Sequence, residues 1–253
     1  MYTSLKGKNV VLTGSTGRVG TAISELYAKL GSNLILLDIE DNKQELEEQV
    51  SYLKSIGAHV RYYKCDLSQI EQIKDTCLKI KEEYEHVDIL INNAGTSHII
   101  PATQVTPEIW DRIMDVNLKG TFFMSQYILP LMIRKKEGCI VNVASQHGIV
   151  TNKDRAAYGA SKAGVIHLTK SLAYEWAKYR IRVNTVSPTV VISDSNTQLL
   201  ESPAYKKEYL NKIPLKKYAT PIDVANSILY LTSELSNMVT GHNLVVDGGW
   251  TVV

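Results

Sequence analysis

Short apolar segments alternate with longer amphipathic segments along almost the whole chain. The apolar runs NVVLT and NLILLD are followed by TAISELYAKL and KQELEEQVSYLKSI, and the alternation continues to the last apolar run, NLVVD. Strictly alternating strands and helices predict βαβ units, a parallel sheet and right-handed crossovers. The strands are almost continuously apolar, as expected when helices cover both faces of a sheet. We therefore expect a doubly wound α/β fold of three layers, with a parallel sheet in the middle.

The alternation is not interrupted by a linker, a low-complexity segment or an internal repeat. At 253 residues the chain has a length that α/β folds commonly reach as one domain. We therefore predict a single domain over 1–253.

Composition excludes several classes of function. The chain is 44% hydrophobic and 21% charged, as in ordinary globular proteins, and a net charge of +2 gives no reason to expect a nucleic-acid partner. It has no apolar run of 18 residues, and its first residues lack the apolar segment of a signal peptide. Three scattered cysteines and six dispersed histidines predict reduced thiols, a cytoplasmic location and no metal site.

Distinctive residues follow each predicted strand. In open parallel sheets, ligands bind at the carboxyl ends of the strands. The chemistry of this chain is therefore expected at one edge of the sheet, where these residues lie: Gly14, Asp38, Asp66, Asn92, Ser145 and Pro188.

A glycine-rich turn, TGSTGRVG, lies between the first strand and the first helix. Glycines allow close approach of the backbone to a pyrophosphate, which the helix N-terminus then binds. Asp38 lies 18 residues beyond Gly20, near the position of a carboxylate that accepts hydrogen bonds from the adenosine ribose. Because a carboxylate there repels a 2′-phosphate, we expect NAD as the cofactor in preference to NADP.

Tyr158 and Lys162 lie four residues apart in a strongly helical pattern, so both side chains are on one helix face. A nearby ammonium favours the phenolate form of tyrosine. We therefore predict that Lys162 lowers the pKa of Tyr158 towards the range that is useful for proton transfer.

These motifs together resemble the short-chain dehydrogenase/reductase family over essentially the whole chain. The resemblance implies a Rossmann fold and a single dinucleotide-binding domain over 1–253, with a substrate loop at about 190–215 inserted in it. Ser145 precedes Tyr158 by thirteen residues, a spacing usual in that family. The residues that carry the resemblance are Gly14, Gly17, Gly20, Asn92, Asn93, Ala94, Gly95, Asn117, Ser145, Tyr158 and Lys162.

The resemblance implies a role for each matched residue. Asp66 would contact the adenine, and the run from Asn92 to Gly95 would back the adenine ring and steady the central strand. Asn117 would hold a water of the proton relay, Ser145 would bind the substrate oxygen, Tyr158 would exchange its proton, and Lys162 would also bind the nicotinamide ribose. These four, Asn117, Ser145, Tyr158 and Lys162, are the predicted catalytic residues.

Two departures from the family pattern affect the predicted cofactor site. Arg18 stands where a glycine is common; it could reach a cofactor phosphate, but we favour a solvated residue at the helix start. Thr189 replaces the usual glycine after Pro188, which leaves the shape of that loop open. If register is kept, Val191 meets the nicotinamide carboxamide and Ser193 replaces the usual threonine. The full predicted set is Gly14, Ser15, Thr16, Gly17, Arg18, Val19, Gly20, Asp38, Ile39, Asp66, Leu67, Asn93, Ala94, Gly95, Tyr158, Lys162, Pro188, Val191 and Ser193.

The predicted substrate residues are polar. Gln146, His147 and Asn152 join Ser145 and Tyr158, and the segments SQHGIVTN and SPTVV resemble xylulose reductases and related polyol dehydrogenases of the family. A polar pocket suits a polyhydroxylated substrate. The leading hypothesis is an NAD-dependent dehydrogenase of a sugar alcohol, ketose or related sugar.

Two alternatives remain open. One is a 3-oxoacyl-[acyl-carrier-protein] reductase, and the other is a cofactor-binding regulatory protein without turnover. The resemblance also implies a homodimer or homotetramer that pairs through the predicted helices of about 106–136 and the Tyr158 helix.

Overall fold

A computed structural model describes residues 5–39, 43–192 and 196–252 of the chain. Seven parallel strands form one sheet: β1 Asn9–Thr13, β2 Asn33–Asp38, β3 Val60–Lys64, β4 Ile89–Asn92, β5 Gly138–Val143, β6 Ile181–Pro188 and β7 Asn243–Val246.

Nine α-helices lie within these described residues. They are α1 Arg18–Lys29, α2 Lys43–Ser55, α3 Ile70–Glu83, α4 Pro107–Met114, α5 Thr121–Ile133, α6 Ala156–Trp176, α7 Thr197–Glu201, α8 Pro203–Glu208 and α9 Pro221–Thr232. A π-helical segment, Asp115–Gly120, joins α4 to α5.

The strand order β3-β2-β1-β4-β5-β6-β7 confirms the predicted doubly wound sheet. The chain winds outwards in one direction from β1 to β3 and then in the other direction from β4. The order therefore reverses between β1 and β4, and ligands of open α/β sheets bind in the crevice at such a reversal. The carboxyl ends of both strands border the glycine-rich turn.

Two apolar cores lie on opposite faces of the sheet, as the three-layer prediction requires. One core packs α3, α5 and α6 against the sheet, and the other packs α1 and α9. A third, smaller cluster joins the α7–α8 segment to the C-terminal end of the chain through Leu200, Tyr209, Ile213, Tyr218 and Trp250.

A row of buried polar side chains crosses the centre of the sheet. Asn92 of β4 donates to its register partner on β5, Asn142, with 2.8 Å between Nδ2 and Oδ1. Asn142 donates in turn to Thr169 of α6 over 2.9 Å, and Thr185 of β6 donates to the same hydroxyl over 2.7 Å. These bonds fix the position of α6 along the strands, and α6 carries Tyr158 and Lys162.

None of the helices in the described part of the chain has the length and apolar character needed to cross a membrane.

The contact between α1 and α9 gives a stability prediction. The buried Tyr27 hydroxyl lies 2.5 Å from Thr232 Oγ1. Tyr27→Phe removes this hydrogen bond and should lower the free energy of unfolding by about 1 kcal/mol, measured by urea denaturation. The control, Tyr230→Phe on the partly exposed side of α9, should change it by less than about 0.5 kcal/mol. Equal effects of the two substitutions would contradict the prediction.

Candidate active site

The glycine-rich turn forms one wall of a cleft of about 800 Å³ at the carboxyl ends of the strands. Gly14 has a φ of +65°, and a Cβ there would lie 2.7 Å from the Cα of Ala94. A Cβ on Gly20 would overlap the carbonyl oxygen of Gly14. These two positions therefore require glycine, whereas a Cβ on Gly17 would make only ordinary contact.

Asp38, the last residue of β2, holds this turn in place. Its Oδ2 accepts hydrogen bonds from the amide and the hydroxyl of Thr16, both at 2.8 Å, and its Oδ1 accepts from the amide of Ile39. Asp38 also lines the cleft.

Asn93 and Thr13 join the turn to β4. Asn93 Nδ2 donates to the carbonyl oxygens of Thr13 and Gly14, at 3.1 and 2.9 Å. The buried Thr13 hydroxyl accepts from the amides of Asn93 and Ala94. These bonds make the wall of the cleft a rigid backbone surface.

At the far end of the cleft, Asp66 pairs with Arg112 of α4, with 3.1 Å between Nη1 and Oδ2. Burial alone would raise the pKa of Asp66, but hydrogen bonds from Ser68 and the Arg112 guanidinium hold it below its usual value. Asp66 is therefore an ionised acceptor in the cleft at neutral pH.

The cleft collects most of the predicted cofactor residues. Ser15, Gly20, Lys162 and Pro188 do not line it, and Ser193 lies outside the described residues. Those that line it are Gly14, Thr16, Gly17, Arg18, Val19, Asp38, Ile39, Asp66, Leu67, Asn93, Ala94, Gly95, Tyr158 and Val191.

This residue set fits a nicotinamide dinucleotide. Gly14 and Gly20 bring bare backbone to the N-terminus of α1, where amide groups favour a pyrophosphate. Asp38 ends β2 and Asp66 follows β3, at one side of the sheet, whereas Tyr158 belongs to α6, which packs on β6. The two carboxylates line the cleft and suit ribose hydroxyls and an adenine amine. Arg18 is exposed at the start of α1 and also lines the cleft.

Thr189 is accommodated without the usual glycine. Its amide donates to the carbonyl of Val246 over 3.0 Å, which continues the β6–β7 pairing, and its φ is not positive. The loop after Pro188 therefore starts as extended chain that any residue can adopt.

The π-helical segment presents Asn117 to the site. Its Nδ2 donates to the Thr96 carbonyl and the Ser161 hydroxyl, both at 2.9 Å, and its Oδ1 accepts from the Thr96 amide at 2.8 Å. π-Helical turns are rare and often mark functional sites. The bonds tie α4–α5, the loop after β4 and α6 together at one point.

Lys162 is buried beneath the cleft, with 4% of its surface exposed. Its Nζ donates to the Val143 carbonyl over 2.8 Å and lies close to Gly95, since a Cβ on Gly95 would be 3.3 Å from it. Burial lowers the pKa of Lys162 to about 8.

Tyr158 lies between Lys162 and Ser145. Its ring centroid is 5.8 Å from Lys162 Nζ, and its hydroxyl hydrogen-bonds with the Ser145 side chain. The expectation that the pKa of Tyr158 is lowered is wrong for this structure. Burial raises it, and the Ser145 hydrogen bond and the charge of Arg155 offset the increase only in part. The cost of burying a phenolate outweighs these favourable interactions.

A tight turn holds Ser145 against α6. Gln146–Gly148 is a single 3-10 turn, and the amide of His147 donates to Ser145 Oγ over 3.2 Å. A Cβ on Gly148 would lie 2.8 Å from backbone of Lys162. The glycine therefore lets the turn pack directly on the helix, which brings Ser145 to Tyr158.

The predicted substrate residues lie beyond Ser145. Gln146 and His147 are buried, and the His147 ring packs edge-on against Tyr158 and Trp250, at centroid distances of 6.3 and 5.9 Å. Asn152 lies further out and accepts a hydrogen bond from Lys212.

The sequence analysis missed several residues of the site. Arg112 precedes Asn117 by five positions, and Ser161 directly precedes Lys162, so their closeness to known motifs was an available signal. Thr13 acts through its hydroxyl, which accepts from backbone amides, and Thr96 acts through its own backbone, so no sequence signal indicates either role.

The buried ammonium gives a pH-dependent prediction. The pKa of Lys162 is about 8 in the folded chain and the ordinary 10.5 in the unfolded chain. The buried ammonium therefore destabilises the folded state fully below pH 8, and this destabilisation disappears as the pH rises to 10.5. Lys162→Met should therefore raise the free energy of unfolding at pH 7 by about 1 to 2 kcal/mol, and the difference should shrink between pH 8 and 10.

The control for this measurement is Lys170→Met, on the exposed side of α6. It should show no such pH trend in urea denaturation. The assignment of a destabilising buried ammonium is wrong if two results are found together. The native chain would have a higher free energy of unfolding than Lys162→Met at pH 7, and the difference between the two would not vary with pH.

Comparison with known proteins was consistent with this geometry. A family model described as enoyl-(acyl carrier protein) reductase matches residues 15–251. An NAD-dependent glycerol dehydrogenase of Listeria innocua is 34% identical over 249 residues, which cover 98% of this chain and 96% of the relative. A 3-oxoacyl-[acyl-carrier-protein] reductase of Thermotoga maritima is 36% identical over 248 residues, 98% of this chain and 99% of the relative.

Among solved structures, a gluconate 5-dehydrogenase from Burkholderia cenocepacia, in complex with NADP and tartrate, superimposes with a TM-score of 0.90 at 25% identity. The match covers 98% of this chain and 96% of that one. Both the matches and the arrangement around Tyr158 lead to one conclusion: the chain belongs to the short-chain dehydrogenase/reductase family, whose members are oxidoreductases of alcohol and ketone groups that bind a nicotinamide cofactor.

Proposed function

We propose that this protein is an NAD-dependent dehydrogenase that interconverts a sugar alcohol, or a related hydroxylated sugar, with its keto form. The observation that carries the proposal is the meeting of Ser145, Tyr158, Lys162 and Asn117 at the end of a cleft whose other end holds Asp38.

The proposed chemistry divides into a proton and a hydride. When bound, the oxidised nicotinamide would accept the hydride from the carbinol carbon. The Ser145 hydroxyl would hydrogen-bond the substrate oxygen, and the Tyr158 oxygen would take the hydroxyl proton in oxidation or return it in reduction.

Lys162 and Asn117 would support this proton transfer. A positive charge near the phenol stabilises its anionic form, so Lys162 would act as a cation at the moment when Tyr158 loses its proton. Asn117 would keep α6 and the loop after β4 in register, through its bonds to Ser161 and Thr96. Positioning and preorganised hydrogen bonds would supply most of the rate enhancement.

The polar surroundings of Tyr158 support a hydroxylated substrate. Gln146 and His147 are buried next to it, and each has a polar atom without a hydrogen-bond partner. A substrate hydroxyl would satisfy such an atom, whereas a fatty-acyl chain would leave it unpaired. Relatives that are named for glycerol and gluconate agree with this class of substrate.

Asp38 supports NAD as the cofactor. Its carboxylate lies at the end of β2, where a 2′-phosphate would bring a second negative charge close to it. The Listeria relative is named as NAD-dependent, whereas the gluconate 5-dehydrogenase structure holds NADP.

The second candidate is a 3-oxoacyl-[acyl-carrier-protein] reductase, which the identity to the Thermotoga maritima enzyme favours. The unpaired polar atoms of the buried Gln146 and His147 oppose it, because the hydrocarbon part of an acyl chain has no hydroxyl to pair with them. Reduction of an acetoacetyl-carrier-protein substrate with NADPH, at a higher kcat/KM than oxidation of any polyol with NAD, would establish this alternative.

We further propose that the chain forms a homodimer or homotetramer through α4, α5 and α6, and that it works in the cytoplasm. Tyr174 of α6 is 88% exposed and Trp110 of α4 is 39% exposed, which suits helix faces that pair with a second copy. Three free, buried cysteines fit a reducing compartment. The α7–α8 segment, within the proposed substrate loop at 190–215, would cover the substrate.

Tyr158→Phe tests the proposed mechanism. Because the phenol oxygen carries the proton, kcat for polyol oxidation should fall at least ~100-fold, while NADH binding, followed by fluorescence titration, should change less than about threefold. Tyr230→Phe, on the partly exposed side of α9, is the control and should leave both quantities unchanged. A Tyr158→Phe variant with an unchanged kcat would overturn the mechanism.

Asp38→Asn tests the cofactor assignment. Asparagine can still accept the hydrogen bonds of Thr16, but it lacks the charge that repels a 2′-phosphate. The ratio of kcat/KM with NAD to kcat/KM with NADP should therefore fall about tenfold or more. Asp75→Asn, on the exposed face of α3, should leave the ratio unchanged. A native enzyme that prefers NADP would show that the assignment is wrong.

A further inference from the structure

Unpartnered buried polar atoms are concentrated beside the proposed catalytic tyrosine. We call Gln146, His147, Asn152, Arg155 and Lys212 the polar rim. Gln146 Oε1, His147 Nδ1, Asn152 Nδ2 and Arg155 Nε are all buried without a hydrogen-bond partner. Gln146 is only 1% exposed and His147 only 9%. Such an atom costs about 1 to 3 kcal/mol unless a ligand or a water molecule satisfies it.

The polar rim is continuous with the catalytic residues. The His147 ring contacts both Tyr158 and Trp250 edge-on, and Lys212 Nζ lies 5.5 Å from the centroid of the Trp250 ring. The rim therefore begins next to the Tyr158 ring and ends at Lys212. A substrate held at Tyr158 could extend along this path.

Two positive charges act on the same part of the rim. Burial lowers the pKa of His147 to about 4, and the charges of Arg155 and Lys212 contribute to this shift, so the imidazole is neutral at pH 7. Arg155 also acts on Tyr158. Within the described part of the chain, neither Arg155 nor Lys212 forms an ion pair with a carboxylate.

The Asn152 side chain has one unpaired hydrogen-bond donor. Its Oδ1 accepts a hydrogen bond from Lys212 Nζ over 2.8 Å, so its Nδ2 group remains unpaired. Together with Arg155 Nε, the rim offers two unpaired N–H donors and two positive charges. Gln146 Oε1 supplies an unpaired acceptor closer to Tyr158.

We propose that the polar rim is an anion subsite, so that the substrate is a hydroxylated chain that carries a carboxylate or phosphate at the end remote from the reacting carbon. Arg155, Lys212 and Asn152 bind the anionic group, and Gln146 accepts a hydrogen bond from a substrate hydroxyl. A neutral polyol satisfies the acceptor but leaves both charges without a counterion. The inference rests on the proposed function, because it extends the substrate outwards from Tyr158.

The test compares three five-carbon substrates with saturating NAD: a polyol, the aldonic acid of the same length and the polyol's terminal phosphate ester. The carboxylate or the phosphate should be oxidised with a kcat/KM at least tenfold above that of the neutral polyol, and the better of the two identifies the anionic group. This preference should weaken as ionic strength rises.

Arg155→Gln should reduce the preference for the anionic substrate over the polyol by 10- to 100-fold, mainly through KM. Arg155→Lys should restore part of the preference, because it keeps the charge. Lys153→Gln, an exposed lysine in the same loop, is the matched control and should leave the preference unchanged. Circular dichroism of each variant separates loss of binding from loss of fold.

Failure of the inference differs from failure of the proposed function. If the polyol is oxidised as well as both anionic substrates, and Arg155→Gln leaves their ratio unchanged, the anion subsite is refuted and the dehydrogenase proposal stands. If no alcohol is oxidised, the proposed function fails. Calorimetric titration of the aldonic acid into the protein with NADH then decides the subsite: weaker binding in Arg155→Gln supports it, and equal binding overturns it.

Discussion

The ammonium group of Lys162 has almost no contact with solvent and one strong acceptor, the carbonyl of Val143. Burial of a charge with so little compensation is costly, and it lowers the pKa of the lysine. The surrounding residues leave the ammonium group little space for another position, since a Cβ on Gly95 would lie 3.3 Å from both Lys162 Nζ and Asn117 Oδ1. The strained ammonium is thereby held next to a phenol that burial keeps protonated.

The parallel sheet provides the rigidity that this arrangement needs. Hydrogen bonds from Asn142 and Thr185 fix Thr169 of α6, seven residues beyond Lys162 on the same helix. Asn117 joins that helix to the loop after β4, and the Gln146–Gly148 turn packs on its first turns. A destabilised active site is retained because the surrounding structure determines its geometry several times over.

The sequence predicted the parallel sheet, the alternation of strands and helices, and many of the residues that line the cleft. These features depend on short stretches of sequence: glycines in a turn, carboxylates at strand ends and residues at helical spacing. The sequence could not predict the direction of the Tyr158 pKa shift, which depends on how much solvent the folded chain removes from the phenol. The pairing of Arg112 with Asp66 joins residues 46 positions apart, and the unpaired Nε of Arg155 is visible only in three dimensions. Sequence motifs therefore predicted the candidate residues, whereas the pKa values of those residues depend on tertiary packing.

The most direct test of this account is the titration of Lys162, observed by NMR in protein labelled with 13C at the lysine Cε atoms, with Lys162→Met used to assign its signal. The account predicts that this resonance titrates near pH 8, well below the ordinary 10.5. A resonance that titrates with the exposed lysines would contradict it, because the ammonium would then be hydrated and could not be the strained group on which the site depends.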